Sequence, residues 1–90
     1  MSIKPKDVLP DGADSGDFNG RNIRKGTVAA FLANIEIVED SQATQEQKNA
    51  ALIAIRELAP DVITLKLHKH VVFRNAEIEK ILQATASRLI

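Results

Sequence analysis

Four stretches of the chain carry a readable pattern of apolar and polar positions. The first is VAAFLANIEIV, Val28 to Val38. At about 100° per residue its apolar side chains cover nearly the whole circumference of a helix, with only Asn34 and Glu36 interrupting. Thr27 stands where an N-cap belongs. The pattern predicts a helix over 27–38, buried all round and central to the fold. The second stretch follows a polar break. Thr44 and Gln47 have the spacing of a capping box, in which each side chain satisfies the other's free backbone N–H. A helix is expected over 44–59, ending before Pro60 changes the local geometry. Ala51, Ala54, Ile55 and Leu58 share one face, with Gln45, Asn49 and Arg56 opposite. Ile53 falls roughly 200° from Ala51, among the polar residues, with Leu52 at the edge of that arc. Together they mark a candidate second contact surface.

The third pattern is the cleanest. Asn75 is a good N-cap, and Glu77 is well placed against the positive end of the helix dipole. Ile78, Ile81, Leu82, Thr85 and Leu89 then form one stripe, which predicts a helix over 75–89. The fourth stretch, VITLKLHKHVVF at 62–73, fits two readings. As a strand it places Ile63, Leu65, Leu67, Val71 and Phe73 on one face, and Thr64, Lys66, His68 and His70 on the other. β-branching favours that reading. Pro60 and Asp61 instead suit the first turn of a helix, and the chain offers few partner strands. Residues 62–70 are therefore a short helix or an edge strand.

Residues 1–26 differ in kind. LPDGADSGDFNGRN holds the turn signals Pro10-Asp11-Gly12, Ser15-Gly16 and Asn19-Gly20. Asn-Gly is the strongest short hairpin signal, since both residues tolerate positive φ. A turn-rich arm or small hairpin is expected at 1–26, ahead of one helical domain at 27–90. Asp11, Asp14 and Asp17 lack the EF-hand spacing, and no Glu closes such a loop. The fold class is thus mainly α, with three to four helices and the N-terminal arm. The alternative is α+β, with 62–70 as a strand. The core should hold Val28, Phe31, Leu32, Ile35, Ala51, Ile55, Leu58, Ile78, Ile81, Leu82 and Leu89. A turn-rich arm followed by GTVAAFLANI is a look that many small bacterial proteins share.

Composition narrows the function. Ninety residues with three Phe and no Trp or Tyr must build a core from aliphatic contacts. Domains this small often gain core by self-association. Twelve basic and twelve acidic side chains balance, which argues against a general nucleic-acid binder, since such affinity rests on neutralising several phosphates. The absence of cysteine excludes disulfides, thiol nucleophiles and Cys-based metal sites. MSIKPKDVLPDG lacks an apolar signal core, and Val28 to Val38 is too short to cross a bilayer. A soluble cytoplasmic protein with no membrane partner is the expectation.

The candidate chemistry is thin. His68 and His70 would share a face on a strand, but no third histidine completes a metal site, and only Glu77 or Glu79 could be recruited. Ser2, Ser15, Ser41 and Ser87 lie in no strand–turn–helix elbow, and GADSGDFNG has no phosphate-loop spacing. No enzyme activity, catalytic residue, metal or cofactor is expected. What remains is a non-catalytic protein-interaction or self-association domain, its partner a second copy or another protein. Its candidate contact residues are Leu52, Ile53, Lys66, His68, Lys69, His70 and Arg74. The alternative is a small nucleic-acid-associated or regulatory protein that uses the basic edge 66–74. Against it, Glu77 and Glu79 stand at the start of the would-be reading helix, where they would repel phosphate.

Overall fold

A computed structural model describes residues 2–89. Its elements are α1 (Pro5–Val8), β1 (Ser15–Phe18), β2 (Arg21–Arg24), α2 (Thr27–Glu39), α3 (Gln45–Thr64), a 3-10 turn (Leu67–Lys69) and α4 (Ala76–Arg88). The mainly helical domain with a small hairpin is the architecture expected above. No strand forms at 62–70. The strand reading fails because Val62 and Ile63 are buried on the inner face of α3, where helical spacing continues the stripe Ala51, Ile55, Ala59.

Strands β1 and β2 pair antiparallel, Ser15 opposite Arg24 and Phe18 opposite Arg21. Asn19 and Gly20 both take positive φ, at 50° and 84°, as a two-residue turn matched to strand twist requires. The hairpin is docked. Ile23 is only 2% exposed. Asn19 Nδ2 donates to the Thr64 carbonyl at 2.9 Å, and Arg21 pairs with Asp61, so the hairpin grips the last turns of α3.

Gly26, at φ 81°, turns the chain from β2 into α2 and serves as its N-cap. Thr27 is therefore not the cap. Its buried hydroxyl donates back to the Arg24 carbonyl at 2.7 Å, tying helix to hairpin. α2 is not buried all round, nor is it central. Its inward stripe is Thr27, Phe31 and Ile35, one residue per turn, while Leu32 stays 45% exposed and Ala29 and Ala33 face outward. The physical reason is that α3 is the element on which both α2 and α4 pack, so α2 receives its cover from one side.

α3 starts at the expected capping box, with Gln47 N–H donating to Thr44 Oγ1 at 3.0 Å and Thr44 N–H to Gln47 Oε1 at 2.8 Å. It runs through Pro60 to Thr64 and does not stop at 59. Proline in a helix interior costs about 3 kcal/mol. Full burial of Ala59 and Val62 on either side of it, with Ile63 next, offsets that cost. The core joins Phe31 and Ile35 to Ile55, Ala59, Val62, Ile63, Ile78 and Leu82. Leu32 and Leu89, expected inside, are outside, and Ile23, Ala59, Val62, Ile63 and Thr85 take part instead. Phe73 closes the core edge-on to Phe31, ring centroids 5.6 Å apart.

Candidate functional site

The segment between α3 and α4 is set by its two ends. α3 ends in a left-handed residue, usually glycine at such a place, but here Lys66 at φ 68°. Its N–H donates to the Ile63 carbonyl at 2.9 Å, and Lys69 N–H donates to the Lys66 carbonyl at 3.1 Å, which starts the 3-10 turn. At the other end Asn75 Oδ1 caps α4, accepting from Glu77 N–H at 3.0 Å and Ile78 N–H at 3.3 Å. Asn75 Nδ2 donates to Glu39 at the end of α2 at 3.2 Å. Phe73 N–H donates to Glu79 Oε1 at 3.0 Å, and Gln83 Nε2 to Glu79 Oε2 at 2.7 Å. The Phe73 bond, more than any other partner, lowers the Glu79 pKa below its ordinary 4.5. Gln83 and the nearby His68 add to this, and partial burial opposes it.

The candidate contact residues fall in three places. Leu52 packs against the core, while Ile53 is 57% exposed on the far side of α3, so the two do not form one surface. Lys66, His68 and Lys69 come together. With Asn19, Ile63, Thr64, Ala86 and Leu89 they line a cleft of about 350 Å³ where the C-terminal ends of α3 and α4 meet the hairpin turn. The Nδ1 atom of His68 is buried and has no hydrogen-bond partner. Arg74 lies elsewhere, on a second cleft of about 380 Å³, with Leu32, Ile35, Glu36, Glu39, Val72 and Phe73. His70 is exposed at the end of the 3-10 turn. Among the described residues no three His, Asp or Glu side chains converge as a metal site would need, and no helix is long and apolar enough to cross a membrane.

Sequence reasoning missed the outer face of α2. Leu32, Ala29 and Ala33 lie open there, and Val72, 79% exposed, stands across the second cleft from Leu32. The signal was present in the chain: α2 has more apolar circumference than one neighbouring helix can cover. Asn19, Ala86 and Leu89 were also missed as lining of the lysine cleft, because they are brought to it from the two ends of the chain. Comparison with protein-family models, with curated proteins and with solved structures finds no match.

Proposed function

We propose that this chain is a non-catalytic interaction domain that associates with a second copy of itself through the outer face of α2 and the adjoining 70–74 segment. One observation carries the reading. The chain exposes 6485 Å², whereas a compact monomer of its 9.8 kDa mass exposes about 5,200 Å². The excess, about 1,300 Å², includes the exposed N-terminal arm as well as the α2 face, and is larger than the roughly 800 Å² that each partner buries in a standard interface. Its radius of gyration of 14.1 Å likewise exceeds the roughly 12 Å of a compact chain this long.

The composition of the face supports the same occupant. Leu32 and Val72 supply apolar area, and Glu36, Glu39 and Arg74 around them carry both signs of charge. Equal numbers of basic and acidic residues leave no net repulsion between copies.

Absolute mass by light scattering over a concentration series tests the proposal. The natural chain should approach twice 9.8 kDa as concentration rises. Leu32→Glu combined with Val72→Glu should stay at the single-chain mass with unchanged circular dichroism, since Leu32 is 45% and Val72 79% exposed and neither is in the core. A natural chain that is monomeric up to its solubility limit overturns self-association. A dimer that survives both substitutions overturns this face as its seat.

A further inference from the structure

We infer that the lysine cleft at the joined ends of α3 and α4 is a binding site for a small organic monoanion, a carboxylate carried on a short aliphatic chain. The site is independent of the dimer face. Three observations at the same place carry the inference.

The first is charge. Lys66 and Lys69 both line the cleft, and neither is in an ion pair among the described residues; the pairs there are Arg21 with Asp61 and Lys25 with Asp14. Two helix C-termini also face this region, each equivalent to about −0.5 charge. Their sum offsets about one lysine and leaves about one lysine charge at the cleft, with the Glu79 carboxylate acting on His68 from α4. That balance matches a monoanion better than a phosphate dianion.

The second is an unsatisfied imidazole. His68 Nδ1 is buried and makes no hydrogen bond. A buried polar atom left in this state costs about 1–3 kcal/mol. Rotation of the ring about its Cβ–Cγ bond would bring that nitrogen to an acceptor in the cleft and relieve the cost.

The third is strain. Lys66 holds a left-handed backbone that glycine adopts freely, and the residue is exposed. A strained non-glycine residue at a cleft wall is where binding residues concentrate. Ile63, Ala86 and Leu89 supply apolar lining to the same cleft. The volume of about 350 Å³ lies at the small end of ligand sites, which limits the aliphatic part to a short chain.

The test is a titration of the full chain with sodium hexanoate, followed through backbone amide NMR shifts. Hexanol serves as the tail without the charge, and inorganic phosphate as the charge without the tail. Saturable shifts are expected at residues 63–69 and 86–89 with hexanoate, and affinity at least about tenfold weaker for either comparison compound. Lys66→Ala with Lys69→Ala should weaken hexanoate by a similar factor, while Lys48→Ala on the far end of α3 should not. The inference is overturned if hexanoate gives no saturable shift, if the double variant binds as well, or if hexanol or phosphate matches hexanoate. It is also overturned if a short oligonucleotide moves the same amides at lower concentration. That result would assign the edge to nucleic acid.

Discussion

Lys66→Gly should make this protein more stable than Lys66→Ala, although glycine is the weaker residue almost everywhere else in a fold. Lys66 sits at φ 68° and ψ 23°, in the left-handed region. There a side chain costs roughly 1–2 kcal/mol, because Cβ crowds the following carbonyl. Glycine removes that cost and adds about 0.4–1 kcal/mol of unfolded-state freedom. The backbone bonds on either side, Lys66 N–H to Ile63 and Lys69 N–H to Lys66, do not depend on the side chain. Both variants lose the lysine charge near the helix ends equally, so comparing them cancels that effect. The glycine variant should be ahead by about 1 kcal/mol, or roughly 4–8 °C in Tm for a domain of this size. Urea unfolding with an unchanged m-value measures the difference. Equal stability of the two variants, or an advantage for alanine, would refute the claim that backbone conformation strains this position.

Two further outcomes follow from the packing and the polar contacts. Ile55 is fully buried at the centre of the core, so Ile55→Ala should cost about 2–5 kcal/mol, with a loss below 1 kcal/mol in denaturant melts contradicting the core described above. Glu79 has its pKa lowered chiefly by the Phe73 N–H, so its contribution should be complete above the ordinary value of 4.5 and disappear as pH falls through the lower folded-state value. In Glu79→Gln that acid-side loss should shrink, and a pH–stability curve identical to that of the natural chain would show that the carboxylate does not hold the 70–74 segment.

Much of this architecture is readable from short-range chemistry. The Thr44–Gln47 capping box, the Asn75 cap and the Asn19-Gly20 turn each depend on groups within a few residues of one another, and all three form as their sequences require. The stripe of α4 is legible for the same reason, since its period is a property of one helix; only its last member, Leu89, is left outside. Part of the candidate site was legible too. Lys66, His68 and Lys69 are close in sequence and remain together in space.

What tertiary structure decided is which of several locally acceptable outcomes would be stabilised by residues distant in sequence. Pro60 is a helix breaker by local rules, yet α3 continues through it because Val62 and Ile63 are buried against α2 and α4. The apolar circumference of α2 showed that part of it would stay open, but not that Thr27, Phe31 and Ile35 would be the residues fully buried, since cover is a property of the neighbour. Nor could the sequence show that Lys66 would take a glycine-like backbone, or that Asn19 and Leu89, seventy residues apart, would wall one cleft. Local pattern determined where helices and turns begin, because hydrogen bonds and caps act over a few residues. Burial, strain and the shape of the clefts came from packing, which sums contacts across the whole chain.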